Sequence, residues 1–152
     1  MEVKTEGIVL KRFRKGEHDD LCVIFTKKSG KAVVTAKSSR KLNSRLKSVL
    51  EPCSLNSYSL YKKNDSSGYY RLTQAKPIKM FERIRQDLDR IAFYYTAAEL
   101  TDKFMETEDA DEEVFEALLE VLALADEGAD TGLLEAYFKV KLLRSVGFSV
   151  TD

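Results

Sequence analysis

Short runs of β-branched and aromatic residues, separated by polar turn residues, fill the first half of the chain, and this pattern is typical of an antiparallel β unit. Five strands are predicted, at residues 3–13, 21–26, 31–36, 54–62 and 69–77. Residues 38–50 are rich in Arg, Lys, Asn and Ser and are expected to form an exposed loop or a short helix between the third and fourth strands. Five strands with an insert there suit an OB-like barrel, although a sandwich and an SH3-like barrel satisfy the same count.

The spacing of apolar residues changes to three or four after Pro77, which predicts helices in the second half. The first helix is expected over residues 81–106, with one apolar face made of Ile84, Leu88, Ile91, Tyr95, Ala98 and Phe104. The predicted fold class is therefore α+β, with a five-stranded β unit in residues 1–80 and a small antiparallel helical bundle in residues 81–152.

Two further helices complete the predicted bundle. Asp109 is expected to cap the second helix, with Glu112 three residues later and Gly128 at its end. The predicted buried stripe of this helix is Val114, Phe115, Leu118, Leu119 and Leu122. The third helix is expected to run from near Thr131 to Gly147.

Charge is distributed unevenly along the chain, although 25 Lys and Arg residues balance 25 Asp and Glu residues overall. Residues 1–80 hold 18 basic and 7 acidic side chains, and residues 81–152 hold 7 basic and 18 acidic ones, so the halves carry +11 and −11. The first half alone therefore has the electrostatic character of a nucleic-acid binder.

Location and redox state follow from other features of the sequence. No apolar run approaches the ~20 residues that span a bilayer, and the first residues lack the pattern of a secretion signal, so a cytoplasmic protein is expected. Cys22 and Cys53 each lie singly in an apolar segment. Buried free thiols in a reducing compartment are therefore expected rather than a disulfide.

Catalytic and metal-binding patterns are scarce. The one histidine, His18, is followed by Asp19 and Asp20, but no second histidine or thiolate has compatible spacing, so a polar hairpin turn is the preferred interpretation. A phosphate-cradling glycine loop is absent from the sequence. Acidic residues 106–113 surround a predicted helix start, where negative charge is favourable. No enzyme activity, cofactor or metal is predicted.

A series of short strings forms ordered landmarks along the sequence: TEGIVL at 5–10, GEHD at 16–19, FT at 25–26 with Gly30, AKSSRK at 36–41 with SR at 44–45, LEP at 50–52, LTQA at 72–75, AEL at 98–100, YFKVKLL at 137–143 and GF at 147–148. Together these landmarks resemble the RecO family of bacterial recombination mediators. No single string is specific, but their order and spacing extend over nearly the whole chain.

The resemblance implies an OB-fold domain in residues 1–80 and a helical domain in residues 81–152. It also implies a role in DNA repair, in which such proteins bind single-stranded DNA, anneal complementary strands, and load a recombinase together with RecR and single-strand-binding protein. The expected location is the cytoplasm, in association with the nucleoid. Typical members continue into a region that often carries a four-cysteine zinc site, which is expected to be absent from this chain because it has no CxxC pair.

Binding single strands without reading sequence requires cations along the backbone and flat side chains for stacking. Three basic clusters are candidates for contact with phosphate, at the end of the first strand, in the loop after the third strand and around the turn at 27–31. The predicted DNA-binding residues are Lys11, Arg12, Arg14, Lys37, Arg40, Lys41 and Arg45. Candidate stacking platforms are Tyr58, Tyr61, Tyr69 and Tyr70.

The acidic helical half suits a protein partner better than DNA. The resemblance implies a groove between helices that receives the acidic, apolar tail of single-strand-binding protein. Such a tail needs local cations, and Lys139, Lys141 and Arg144 on the third helix are the candidates. An alternative class of function stays open, in which the OB-like unit is a protein-interaction adaptor that does not bind DNA.

Overall fold

The computed structural model describes residues 1–41, 44–62 and 68–147. Its strands are β1 (Glu2–Lys15), β2 (Asp19–Thr26), β3 (Gly30–Ala36), β4 (Ser54–Lys62) and β5 (Tyr69–Met80), and a short 3₁₀ turn (Ser48–Leu50) precedes β4. Its helices are α1 (Glu82–Arg85), α2 (Leu88–Phe104), α3 (Glu112–Asp126) and α4 (Thr131–Ser145). The five predicted strands are confirmed.

The strands close into a barrel in the order β1-β2-β3-β5-β4, with β4 paired back to β1. Neighbours are antiparallel except for β3 and β5, which pair in parallel over 33–35 and 69–71. This is the five-stranded OB arrangement, and it excludes the sandwich. The predicted class, an OB-like barrel followed by a helical bundle, is confirmed.

Alternation along each strand places one set of side chains inside the barrel. The interior core includes Val9, Cys22, Ile24, Val34, Tyr58, Leu60, Tyr70 and Leu72, all buried. Both cysteines are buried and free, as predicted. Burial raises the pKa of Cys22 to about 12 and that of Cys53 to about 11, so both remain neutral thiols at physiological pH.

A bulge in β1 changes which side of the barrel each following residue faces. Val9 pairs with Ile24 but Lys11 pairs with Val23, so Leu10 is the extra residue. Beyond the bulge Arg12 pairs with Cys22, whose side chain lies in the barrel interior. The hydroxyl of Tyr94 donates a 2.7 Å hydrogen bond to the carbonyl oxygen of Val9 beside the bulge. Burial raises the pKa of Tyr94, which keeps this donor protonated.

The helices pack against the outer wall of the barrel and share one core with it. Outward-facing apolar residues of the strands, including Ile8, Leu10, Phe25 and Leu55, join one cluster with Phe81, Phe93, Phe115 and Phe138. The rings of Phe25 and Phe115 lie 5.9 Å apart between centroids. The helical bundle therefore depends on the barrel for much of its buried apolar surface.

The prediction of one long helix over 81–106 is wrong. The chain breaks after α1, and Asp87 caps α2 by accepting hydrogen bonds of 3.0 and 3.4 Å from the backbone N–H groups of Asp89 and Arg90. The predicted apolar face is wrong at Leu88, which is 83% exposed, and at Tyr95, which is 52% exposed, whereas its members Ile84 and Ala98 are buried. The buried residues of α2 are Phe93, Tyr94, Ala97, Ala98 and Thr101.

The later helices follow the prediction more closely. The N-cap of α3 is Asp111, not the predicted Asp109, because its side chain accepts a 3.1 Å hydrogen bond from the N–H of Val114. The predicted stripe of α3 is buried except for Leu119, which is half-buried. Gly128 follows α3 with φ of 105°, a left-handed conformation that favours glycine, and α4 begins at Thr131 as predicted.

Ion pairs link the basic barrel to the acidic helices. The carboxylate of Asp102 on α2 lies 2.7 Å from Lys11 Nζ and 3.2 Å from Lys31 Nζ. Lys27 pairs with Glu116 at 3.3 Å, and Lys62 pairs with Glu108 at 2.6 Å. Part of the opposite charge of the two halves is therefore neutralised within the molecule. Burial opposes ionisation of Asp102, but hydrogen bonds from Lys11 and Lys31 hold its pKa below the ordinary value.

Removing the Tyr94 hydroxyl should destabilise the fold. We expect Tyr94→Phe to lower the free energy of unfolding by about 1–3 kcal/mol, because the buried Val9 carbonyl loses its phenolic donor. Tyr95→Phe is the matched control, since its side chain is half-exposed, and it should change stability by less than about 0.5 kcal/mol. Urea unfolding of the three proteins measures both values, and equal midpoints would contradict the role of this hydrogen bond.

The Asp102 ion pairs should make stability depend on pH at the acidic end. We expect Asp102→Asn to cost about 1–2 kcal/mol at pH 7. The folded-state pKa of Asp102 lies below its unfolded value. The difference in the free energy of unfolding between the unmodified protein and Asp102→Asn is therefore fully present above about pH 4, and it is lost as pH falls through the folded-state pKa. Urea unfolding at pH 7, 5, 4 and 3 tests this, and a difference that does not narrow would contradict the assignment.

Candidate nucleic-acid interface

The turn between β1 and β2 is tied to the segment that follows β3. Asp19 Oδ1 accepts a 2.7 Å hydrogen bond from the N–H of Ser38, whose φ of 59° turns the chain sharply. The N–H of Arg40 donates to the carbonyl of His18 at 2.8 Å, and its guanidinium donates to the carbonyl of Gly16 at 3.2 Å. These contacts bring the end of β1 and the basic residues after β3 to one end of the barrel.

We call this surface the basic end; it consists of Arg14, Lys15, Lys37, Arg40, Lys41 and Arg45. It contains five of the seven predicted DNA-binding residues. Lys15 Nζ lies 3.4 Å from Thr35 Oγ1, so its stem crosses the outer wall of the barrel. Arg45 lies four residues beyond Lys41, in the turn that precedes the 3₁₀ turn; residues 42 and 43 are outside the described part of the chain.

The other two predicted DNA-binding residues, Lys11 and Arg12, have internal partners. Arg12 donates to Asp20 at 3.0 Å and to the carbonyl of Leu50 at 3.4 Å, across the end of the barrel. Asp20 is 2% exposed, and its carboxylate also accepts a 2.7 Å hydrogen bond from the Ser39 hydroxyl. Although burial opposes its ionisation, these donors lower the pKa of Asp20. Lys11 binds Asp102 on α2, so both cations hold the fold together.

Four cations of the basic end project into solvent with their charges available. Within the described residues, the side chains of Arg14, Lys37, Lys41 and Arg45 are exposed and form no ion pair or hydrogen bond. A cation that has no carboxylate partner can release the counterions of a phosphate without first breaking a contact of its own. The structure thus separates cations that are available for phosphate from those that stabilise the fold.

A row of outward-facing residues crosses the barrel wall beside the basic end. Cross-strand pairing joins its members in sequence from β1 to β4, and they are Phe13, Leu21, Thr35, Arg71 and Tyr61. The guanidinium of Arg71 lies over the Tyr61 ring, 5.4 Å from its centroid. Phe13 is 51% exposed and Tyr61 is 42% exposed. Aromatic faces with a cation between them provide the stacking surface that a sequence-neutral single-strand site uses.

The four candidate tyrosines fall on opposite sides of the barrel wall. Tyr58 is fully buried and its hydroxyl donates to the carbonyl of Val49 at 2.5 Å. Tyr70 is also buried, with its hydroxyl 2.9 Å from Glu108. These two are therefore core residues rather than stacking platforms. Tyr61 and Tyr69 face outward, and Tyr69 is 56% exposed.

Phe13 and Arg71 lie on this surface but are not among the residues predicted from the sequence. Strict alternation in β5 would have identified Arg71, because it lies between the inward-facing Tyr70 and Leu72. Alternation in β1 fails at the bulge, so no sequence signal placed Phe13 outside. The interface therefore combines predicted loop cations with strand residues that depend on register.

The possible metal site at His18, Asp19 and Asp20 is a hydrogen-bonded turn. Asp19 and Asp20 are occupied by donors from the loop after β3, as described above, while His18 is exposed. Among the described residues, no group of three His, Cys, Asp or Glu side chains is arranged to hold a metal ion. Nor is any helix in the described ranges long and apolar enough to cross a membrane.

The three candidate partner-binding residues on α4 are not brought together. Lys139 lines an apolar groove of about 170 Å³ between α2 and α4, with Leu100, Phe104, Leu142 and Leu143. It also pairs with Glu135 at 2.9 Å. Lys141 lies instead in a groove with Glu112, Glu116 and Glu120, with its Nζ 5.7 Å from the Tyr137 ring centroid. Arg144 is exposed near the end of α4 and lines neither groove.

Two protein-family models match this chain and together cover most of it. Residues 1–81 match the model described as recombination protein O N terminal. Residues 85–151 match the model described as recombination protein O C terminal. The junction between the two matches falls at α1.

Curated relatives give the same result. A protein from Roseiflexus sp. (strain RS-1), named DNA repair protein RecO, is 34% identical over 145 residues, which cover 95% of this chain and 50% of the relative. The protein of the same name from Bacillus subtilis (strain 168) is 33% identical over 147 residues, covering 97% of this chain and 56% of the relative. The chain spans about half the length of these relatives. The order of landmarks, the closed barrel with its helical bundle and both family matches agree that the chain belongs to the recombination protein O (RecO) family.

Proposed function

We propose that this chain is a non-enzymatic DNA-binding module of a recombination mediator, which binds single-stranded DNA without reading its sequence and promotes annealing of complementary strands. The observation that carries the proposal is the basic end, where exposed cations without carboxylate partners adjoin an outward row of aromatic residues and Arg71. Family membership supports a role in DNA repair. In this proposal residues 1–80 bind DNA and residues 81–152 bind protein partners.

The path of the strand follows from the two kinds of side chain. Phosphates contact the cations of the basic end, and bases lie across the row that contains Phe13, Arg71 and Tyr61. Arg40 holds the loop in place through its contacts to Gly16 and His18 while its guanidinium remains near the surface. No base edge is read by a dedicated donor or acceptor in this arrangement, which accounts for binding that tolerates any sequence.

Annealing follows from the same physical features. Two single strands repel each other through their phosphates, and a surface that neutralises phosphates on one strand lowers this repulsion. Stacking on aromatic rings holds bases by their faces and leaves their Watson–Crick edges available for pairing. Protein-bound strands can therefore pair without first leaving the surface.

The helical half supplies a second site in this proposal. The apolar groove between α2 and α4, with Lys139 at its edge, suits the acidic and apolar tail of single-strand-binding protein. Recruitment of RecR and loading of a recombinase complete the proposed role, which is carried out in the cytoplasm at the nucleoid. The proposal assigns no residue of this chain to RecR.

Removing the available cations should weaken DNA binding and flatten its dependence on salt. With about five phosphate contacts, log affinity should fall with log salt at a slope of roughly −3 to −4, since each contact on a single strand contributes about −0.7. The variant Lys37→Ala/Lys41→Ala/Arg45→Ala should reduce this slope to about −1 to −2 and weaken binding in low salt. Fluorescence anisotropy of a labelled oligonucleotide over a salt series measures both.

A control variant separates local contact from overall charge. Lys76→Ala/Lys79→Ala/Arg85→Ala removes the same number of positive charges, three, from exposed positions outside the basic end. It should leave the salt slope near that of the unmodified chain. Equal effects of the two triple variants would remove the basic end from the site, and a chain that binds no DNA in low salt would favour the protein-adaptor alternative.

The two lysines of α4 should differ in their effect on an acidic peptide. Lys139→Glu places a negative charge beside the apolar groove and should weaken binding of a peptide with an acidic and apolar carboxy-terminal tail by at least about fivefold. Lys141→Glu makes the same charge change on the face that meets α3 and should have a smaller effect. Calorimetric titration measures both, and a larger effect of Lys141→Glu would contradict this location.

A further inference from the structure

A groove of about 380 Å³ lies along the seam between β1 and α2, next to the basic end. Its lining residues are Leu10, Lys11, Arg12, Phe13, Tyr95 and Glu99. The volume falls in the range of small-ligand sites, roughly 300–1,000 Å³. The groove is distinct from the loop cations of the basic end, because one wall belongs to the helical half.

Two half-exposed aromatic rings line this groove from opposite walls. Phe13 on β1 is 51% exposed and Tyr95 on α2 is 52% exposed. Tyr95 is supported from behind by the buried ring of Tyr94, which meets it edge-on at 5.7 Å between centroids. The hydroxyl of Tyr94 is in turn hydrogen-bonded to the Val9 carbonyl of the barrel. The ring of Tyr95 therefore packs against a side chain whose position is fixed.

The charges around the groove suit a neutral, flat ligand at this position. Lys11 is neutralised by Asp102, and Arg12 by Asp20. Glu99 pairs with Lys103 at 3.1 Å. The groove therefore presents little unpaired charge itself, while Arg14, the residue after Phe13, is exposed and has no described partner. An uncharged aromatic group attached to a phosphate fits this arrangement.

We propose that the groove is a nucleobase-binding subsite, in which one base of a bound single strand enters the seam and stacks on Tyr95, with Phe13 on the opposite wall, while its phosphate contacts Arg14. This inference rests on the proposed function and extends the DNA path from the barrel onto α2. It makes Tyr95 of the helical half a DNA-contacting residue. It also means that the strand bridges the two halves of the molecule.

The absence of tryptophan from the sequence allows a direct test. Phe13→Trp introduces a single tryptophan in the groove, and Tyr137→Trp introduces one at a half-exposed position on α4 as the matched control. Oligo-dT should quench the fluorescence of the first variant and leave that of the second unchanged, because stacking on a base quenches indole. An oligonucleotide of the same length with abasic sugars should bind through its phosphates but quench much less.

Affinity measurements on variants without an introduced tryptophan provide an independent readout. Tyr95→Leu should weaken binding of oligo-dT about 5- to 20-fold, because it removes the ring while keeping an apolar side chain. Tyr95→Phe should keep the affinity within about twofold, since the ring remains. Circular dichroism and urea unfolding of each variant verify that the fold is retained.

The outcomes separate this inference from the function on which it rests. Steep, salt-dependent binding with equal quenching by normal and abasic oligonucleotides, or with no loss in Tyr95→Leu, would overturn the base subsite and leave the basic end as the DNA site. A chain that binds no single strand in low salt would overturn both. Quenching by an apolar peptide but not by oligo-dT would assign the groove to a protein partner and overturn the base subsite.

Discussion

The bulge at Leu10 in β1 is the constraint on which the rest of the structure depends. By inserting one residue it makes Leu10 and Lys11 both face outward, so every later side chain of β1 lies on the side opposite to the one that simple alternation assigns. Arg12 consequently points into the end of the barrel toward Asp20, and Phe13 points out. The Tyr94 hydroxyl donates a hydrogen bond to the Val9 carbonyl beside the bulge and so fixes α2 against β1.

That geometry divides the cations of the basic half into two groups with different roles. Lys11, Lys27, Lys31 and Lys62 pair with carboxylates of the helical half and join the two units. The exposed members of the basic end remain for an external anion. The opposite charges of the two halves therefore stabilise the contact between them. The count of basic residues alone overstates the number of cations that are available to contact DNA.

Much of the fold could be predicted from local patterns, since the five strands, the stop at Gly128 and the start of α4 each have a local signal. Barrel closure depends on the parallel pairing of β3 with β5, which is non-local. The sequence does not predict the break at Asp87, because apolar spacing continues across it, although an aspartate is a strong cap. In the site, Lys37, Arg40, Lys41 and Arg45 follow from the composition of one loop. Lys11 and Arg12 are predicted as DNA contacts from the basic end of the first strand, because the sequence reveals neither the bulge that turns Arg12 toward Asp20 nor the approach of Asp102 to Lys11.

The central claim is that single-stranded DNA contacts the basic end while the ion-paired lysines retain their structural role. Lysine acetylation followed by mass spectrometry, with and without oligo-dT, tests it on the unmodified chain. We expect DNA to protect Lys15, Lys37 and Lys41, while Lys79, Lys103 and Lys139, which lie outside the basic end, keep their reactivity. Protection spread equally over both groups, or confined to the lysines of the helices, would contradict the account.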